Sequence, residues 1–312
     1  MKILKTALLL LITLAVVPVF TYFFGTPLNE TAERAILSMS CVTIAAIAYC
    51  FIVGELTGNN SQVDKLWSIL PIIYVWIAAH YGNYSPRLVL MATLVSIWGV
   101  RLTYNFSRHG AFTWRFWEGK EDYRWEVLRQ KPEFKPRWKW TLFNLFFICG
   151  YQQTLILLFT LPIVVALQFN GQDLGLTDWA IAGLMLFFIV YETIADQQQW
   201  EFQSEKWRRI KQQEKLTGDY EKGFLDKGLW AYSRHPNYLA EQALWICFYL
   251  FSITASGQWF NWSIAGCLLL VVLFQGSSSF SEEISSAKYP EYASYQERVP
   301  RFIGFRRSSA RD

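Results

Sequence analysis

Thr6-Ala-Leu-Leu-Leu-Leu-Ile-Thr-Leu-Ala-Val-Val-Pro-Val-Phe-Thr-Tyr-Phe-Phe24 carries no charged side chain and is long enough to cross the hydrocarbon core of a bilayer as a helix. Similar apolar blocks recur near 35–54, 66–80, 88–106, 141–167, 177–195, 238–252 and 260–275. The block at 66–80 is short and holds Pro71, and the one at 238–252 carries Glu241. A backbone in lipid must satisfy its hydrogen bonds within itself, so these blocks predict an all-α, polytopic helical membrane protein with about eight transmembrane helices. Lys2 and Lys5 ahead of the first block also fit a secretory signal peptide, but the run continues through Pro18 without a small-x-small cleavage site, which favours a retained first helix.

Composition agrees with that class. Of 312 residues, 53% are apolar and 17% charged, too few charges to cover a soluble protein of this size. The mean hydropathy of +0.16 would fit a soluble chain with a large core; the long blocks are what decide the matter. Disorder and fibrous repeats are excluded. Fifteen Trp, sixteen Tyr and twenty-four Phe suit lipid headgroups and rigid apolar walls.

Basic residues provide a second test. With eight spans, 26 Lys and Arg fall on one side, in 1–5, 55–65, 105–140, 199–234 and 277–312, against Arg34 and Arg87 on the other. The positive-inside rule then places both termini in the cytoplasm. Arg101 lies within a predicted span, where it snorkels or faces a polar cavity. The net charge of +4 reports topology and not nucleic-acid binding. Cys41, Cys50, Cys149, Cys247 and Cys267 sit in apolar blocks without paired spacing, so neither disulfides nor a metal site is expected.

No internal repeat of the transporter kind is visible, and residues 1–312 read as one integrated membrane domain. Residues 107–140 read as a cytoplasmic interfacial segment anchored by Trp114, Trp117, Trp125, Trp138 and Trp140; 199–234 as a charged cytoplasmic loop; 277–312 as a cytoplasmic tail.

The polar residues at helix ends carry the chemistry. In Gly228-Leu-Trp-Ala-Tyr-Ser-Arg-His-Pro-Asn-Tyr-Leu-Ala-Glu241, Pro236 fits the first helical position with His235 or Ser233 near the cap. Arg234, Asn237, Tyr238 and Glu241 share a face if helical geometry extends back to Arg234, and free amides beside Arg234 would attract a phosphate. A carboxylate at the depth of Glu241 should face the bundle, as a ligand contact or paired with a basic or amide group on another helix. His235 reads nearly equally as a cap and as a cofactor contact. Glu192, Asp196 and Gln199 follow helical spacing and present a second polar face, wetted by headgroup water or lining a site. In the first half, Asn59, Asn60, Gln62 and Asp64 precede Trp67; Asp64 reads as an N-cap or as a group facing Arg101 and Tyr104. Glu282-Glu283 and Tyr289-Pro-Glu-Tyr-Ala-Ser-Tyr-Gln-Glu-Arg-Val-Pro-Arg-Phe302 read as a solvated tail or as a lid over a cofactor.

Asn60-Ser-Gln-Val-Asp-Lys-Leu-Trp67, Trp98-Gly-Val-Arg-Leu102, Tyr191-Glu-Thr-Ile-Ala-Asp196, the Gly228–Tyr238 stretch with Glu241, and the Tyr-Pro-Glu-Tyr tail span almost the whole chain. In this combination the sequence resembles the steroid 5-alpha-reductase-like membrane family, more closely its bacterial DUF1295 branch. The resemblance implies a polytopic enzyme of the bacterial inner membrane that uses NADPH to reduce an activated carbon–carbon double bond in a steroid-like or other lipidic enone. By matching position it places Asp196, Asn237 and Glu241 at the cofactor; Arg234, His235, Tyr238, Glu282, Tyr292 and Arg298 are read as joining them there, and Tyr104 with Asp64 as the proton-donating pair, because an oriented phenol can donate a proton. Glu192 stands where the reductase motif has Asn, Ala240 where it has Gly, and Gly304 where the branch usually has Pro. Arg234-His-Pro-Asn-Tyr238, Glu282-Glu283 and Tyr295–Ile303 equally resemble the S-adenosylmethionine-binding elements of isoprenylcysteine and phospholipid methyltransferases, which act on a lipid or a prenylated thiol carboxylate. A third class is a non-enzymatic lipid-binding membrane protein. A lipidic substrate and membrane lipids are the implied partners; nothing points to an obligate protein partner.

Overall fold

The computed structural model describes residues 2–23 and 25–304; Phe24 of the opening run and residues 305–312 of the expected tail lie outside the described residues. The helices are α1 (Lys2–Tyr22), α2 (Glu30–Thr57), α3 (Gln62–Tyr81), α4 (Pro86–Arg108), α5 (Tyr123–Arg129), α6 (Arg137–Phe143), α7 (Gln152–Thr160), α8 (Pro162–Gln168), α9 (Leu176–Lys211), α10 (Asp219–Lys222), α11 (Pro236–Ser256), α12 (Ile264–Lys288) and α13 (Tyr292–Arg298). A π-helical stretch, Asn144–Tyr151, joins α6 to α7. The all-α expectation holds for the described residues.

Seven helical stretches, not eight, are long and apolar enough to cross a membrane among the described residues: α1, α2, α4, Arg137–Gln168, α9, α11 and α12. The expected span near 66–80 is a 20-residue helix, α3, but its first turns hold Gln62, Asp64, Lys65 and Ser68. Gln62, Lys65 and Ser68 are buried by protein, so α3 is a helix of the interior and not an apolar cylinder offered to lipid.

The chain folds as two compact units, one of Met1–Met185 with Trp245–Leu270, the other of Leu186–Leu244 with Val271–Asp312. In the first, Asn29 caps α2 by accepting the Ala32 amide at 2.9 Å, with Glu30 and Glu33 in the first turn complementing the helix dipole. Gly58 ends α2 in the left-handed region (φ 71°). The α3 and α4 backbones meet at Gly99, where a Cβ would lie 2.5 Å from the Ser68 carbonyl oxygen. Trp98 and Trp245 pack edge to face at 5.0 Å, with Phe159 against Trp245 at 4.2 Å. Lipid tails are as apolar as these rings, so close packing, not transfer out of water, holds them together. Arg87 forks onto Asp178 with bonds of 2.8 and 3.0 Å, both residues buried, and ties the start of α4 to the start of α9. In contrast, α1 turns Leu8, Leu9, Val16, Val19 and Phe20 outward, as a lipid-facing helix does.

Two expected loops are largely helical. α9 continues to Lys211, supported by Glu205 bridging to Arg208 and Arg209 at i,i+3 and i,i+4. α12 likewise runs on to Lys288, so the expected tail begins inside a helix.

Candidate functional site

Most of the expected site residues lie in the second unit, and the turn before α11 determines how they meet. Gly228 sits at φ 62°, and a Cβ there would fall 2.6 Å from Gln198, so the turn requires glycine. Gln198 Oε1 accepts the Leu229 amide at 3.0 Å, and Trp230 Nε1 donates to the Ala195 carbonyl at 3.1 Å. These bonds hold the turn on α9. Pro236 then opens α11, as expected, but Arg234 lies outside the helix and points elsewhere.

Arg234 is the centre of a closed polar cluster. Its Nε and Nη2 donate to Glu282 at 2.7 and 3.3 Å, and its Nη1 donates to the carbonyls of Gln296 and Val299. Glu282 also accepts from Gln296 and Arg301 and pairs with His235 Nε2 at 3.0 Å. The amides of Arg234 and His235 donate to the carbonyls of Pro300 and Arg301 at 3.0 and 3.2 Å. The donors expected at a phosphate are thus engaged by the chain's own tail, which fastens residues 296–301 to the mouth of α11. Of the pair Glu282-Glu283, Glu282 is 3% exposed and turned inward, whereas Glu283 is exposed.

Next to this cluster, Asn237 Nδ2 donates to Asp196 Oδ1 at 3.2 Å, while Asn237 Oδ1 accepts the Tyr238 amide at 3.0 Å. Tyr238 stacks on the His235 ring at 5.3 Å and meets Phe274 at 4.8 Å. Glu192, Asp196 and Glu241 are all buried, at 4, 9 and 3% exposure, an arrangement that sustains charge only where polar or positive groups meet it. Gln199 Oε1, on the same face of α9, is buried without a protein hydrogen-bond partner and calls for a donor. The structure therefore brings Asp196, Asn237, Tyr238, His235, Arg234 and Glu282 into one chain of contacts. Glu241 lies one turn beyond Asn237 on α11.

Tyr292 and Arg298 belong to a different part of the unit. Tyr292 packs with Phe224, Tyr295 and Val299 in an aromatic core, and Arg298 approaches Asp226 at 4.0 Å. Tyr295, expected as the start of a segment resembling S-adenosylmethionine-binding elements, is 1% exposed and donates its hydroxyl to the Trp230 carbonyl. The tail is a packed element; its Tyr-x-x-Tyr spacing, one face of a short helix, was the available signal.

In the first unit, Asp64 and Tyr104 do not meet. Ser61 precedes α3, which puts Asp64 inside its first turn and not at the cap. Asp64 Oδ2 accepts Trp125 Nε1 at 2.8 Å, whereas Tyr104 is 66% exposed with the Arg108 guanidinium over its ring. Burial, with the Asp122 charge beside it, pushes the Asp64 carboxyl up to about 6. The surrounding signature residues are a dock for the 107–140 segment. Asn59 donates to Gly119 O, Gln62 to Trp117 O, and Ser61 Oγ accepts the Asp122 amide. Lys65, fully buried, directs its ammonium at the carbonyls of Phe116 and Glu118 at 2.6 and 2.5 Å. Accordingly Trp125 and Trp140 are buried instead of anchoring in headgroups, whereas Trp114, Trp117 and Trp138 are exposed.

The profile of a family described as "Protein of unknown function (DUF1295)" matches residues 50–299, which include both the dock and the Asp196–Asn237 contact. An uncharacterized protein of Schizosaccharomyces pombe is 38% identical over 278 residues, covering 83% of this chain and 79% of its own. No solved structure matches.

Proposed function

The chain belongs to the DUF1295 family of polytopic membrane proteins, and on that premise we propose that it is a membrane reductase that uses NADPH to saturate an activated carbon–carbon double bond of a lipidic enone. The observation that carries the reading is the Asn237–Asp196 hydrogen bond. It joins the two segments that resemble the reductase cofactor motifs, although 41 residues separate them in sequence.

The residues present fit such a cofactor in part. Asp196, Asn237 and the unsatisfied Gln199 Oε1 offer acceptors and a donor for hydroxyl and carboxamide groups, and Tyr238 offers a ring wall. Arg234 and Glu282 are not assigned to phosphates; they hold the turn and tail that set His235 and Asn237 in place. When bound, NADPH supplies the hydride. Asp196 fixes the Asn237 amide, and Glu241, buried one turn further along α11, offers a carboxyl that can orient a ligand group. Asp64, engaged by Trp125, is assigned to holding the 107–140 segment, which leaves Tyr104 as the proton donor on the chemistry of its phenol alone. The substrate is a lipid entering from the membrane. We assign the protein to a bacterial inner membrane; both termini are cytoplasmic in this reading only with α3 crossing inside the bundle as an eighth helix, because the seven apolar stretches alone are an odd number.

A second reading, S-adenosylmethionine-dependent methyl transfer to a lipid or prenylated thiol carboxylate, draws support from the Arg234–His235–Glu282 cluster, which unites the elements resembling the methyltransferases. Direct competition of the two cofactors for the purified protein separates the readings. Binding of NADPH with hydride transfer to an enone supports the first, S-adenosylmethionine binding with methyl transfer replaces it, and binding of lipid with neither cofactor leaves a non-enzymatic lipid-binding protein.

A further inference from the structure

The first unit contains an apolar recess of about 150 Å³, walled by Pro18 and Tyr22 of α1, Ile36 of α2, Leu158 and Leu161 at the α7–α8 joint, and Ala265 of α12. Its origin is visible in the backbone. At Gly266 the α12 chain touches α7 so closely that a Cβ would lie 2.2 Å from the Leu158 carbonyl carbon. A short distance on, Pro162 interrupts α7 and Pro18 lies inside α1, two places where proline removes a helical hydrogen bond and bends the chain. Helices tied at one level thus diverge at the next. The far end is tied again: Thr21 Oγ1 donates to the Trp262 carbonyl at 3.0 Å, and Gly25 lies against the Trp262 ring.

No Lys, Arg, Asp or Glu is among the lining residues, and the hydroxyl of Ser263, at the wall, is already donated to Asn261 at 2.6 Å. Apolar cavities of this size stay dry and take a benzene-sized hydrocarbon. Tyr22 of the wall, and Val19 and Phe20 near it on α1, are 48 to 63% exposed on a helix that turns its apolar side chains outward. Pro18 and Tyr22 fall in the last turns of α1, near one face of the bilayer, where the surrounding solvent is the upper part of phospholipid acyl chains.

We propose that this recess is a binding site for one acyl chain of a bilayer phospholipid, held near its ester end. The lining recognises hydrocarbon and ignores the headgroup. The site is independent of the reductase reading and stands or falls separately from it.

The test uses the full chain reconstituted into phosphatidylcholine vesicles whose acyl chains carry bromines near the ester end or near the methyl end. The Trp262 fluorescence is isolated by difference from Trp262→Phe. Trp262 is 7% exposed, so bulk lipid does not reach its ring. Strong quenching by the ester-end bromines, weaker quenching by the methyl-end ones, and loss of both in Ala265→Leu and Ile36→Phe are expected, unchanged when phosphatidylglycerol replaces phosphatidylcholine. Equal quenching of wild type and both filled variants overturns the proposal. So does a Trp262 signal in wild type that neither bromine position reaches, a result that stands even when the variants fail to fold. Quenching that follows headgroup charge overturns it as well, and assigns the site to the headgroup.

Discussion

Asn237 Nδ2 donates to Asp196 Oδ1 at 3.2 Å, joining the first turn of α11 to the polar face of α9 inside one compact unit. A hydrogen bond to a charged group contributes about 1.5–3 kcal/mol, which corresponds to roughly ten- to hundredfold in affinity when it orients a ligand group. Asn237→Ala and Asp196→Leu are therefore expected to weaken NADPH binding by about that factor, measured by titration of the purified protein. Asp196→Asn, which keeps the shape, should lose less. Unchanged binding in Asn237→Ala would remove the basis for the cofactor assignment.

Glu282 and Glu283 are adjacent in sequence and opposite in consequence. Glu282 faces Arg234, Arg301, His235 and Gln296, and removing one partner of a buried ion pair costs about 3–5 kcal/mol because the other charge is left uncompensated. Glu282→Gln should lower the unfolding temperature in detergent by many degrees and expose residues 296–301 to protease. Glu283→Gln, at the surface, should change stability by about 0–1 kcal/mol. Equal effects of the two would contradict the inward orientation of Glu282.

The contrast between those two glutamates also marks the limit of what the chain discloses in one dimension. Helix class, the opening of α11 at Pro236 and the meeting of the Glu192–Asp196 face with Asn237 follow from periodicity, proline chemistry and motif resemblance. The direction of Arg234 does not, because it depends on the carbonyls of Gln296 and Val299, more than sixty residues away. Trp125 and Trp140 carry the same interfacial signal as Trp114 and Trp138, yet two are buried and two exposed; tertiary docking on the start of α3 decides which. The shortfall from eight apolar spans to seven has the same origin, since the polar first turns of α3 find partners in the 107–140 segment instead of water.

Lys65 gives that docking a direct probe. Its buried ammonium bonds to the carbonyls of Phe116 and Glu118, and Lys65→Met would leave both without a donor, at about 1–3 kcal/mol for each orphaned group. Trypsin cleavage at Arg115 and Lys120 is expected to accelerate in Lys65→Met, while cleavage in the Lys211–Lys227 region stays at the wild-type rate. Equal cleavage of the 107–140 segment in both proteins would show that Lys65 does not hold it.

Asp64 should make this dock sensitive to pH in a specific direction. Burial and the neighbouring Asp122 raise its carboxyl from the ordinary 3.8 to about 6, so the folded state binds a proton more readily than the unfolded chain between those values. The contribution to stability is fully present below about pH 4 and is lost as pH rises through about 6, after which it is flat. Asp122 runs the other way: burial opposes its charge, but the forked Arg124 guanidinium holds it below its ordinary value, so its contribution fades only in stronger acid. Between pH 4 and 6 Asp64 works against Glu282, where burial opposes the charge but His235 and Arg234 hold the carboxyl down at about 2, so that its contribution grows as pH rises from 4. The unfolding temperature of wild type relative to Asp64→Asn, which can still accept from Trp125, should therefore fall as pH is raised across that window, with Asp64→Asn the more stable protein at pH 7. A difference between the two proteins that stays constant, or shifts in favour of wild type, from pH 4 to 6 would place the titrating group elsewhere.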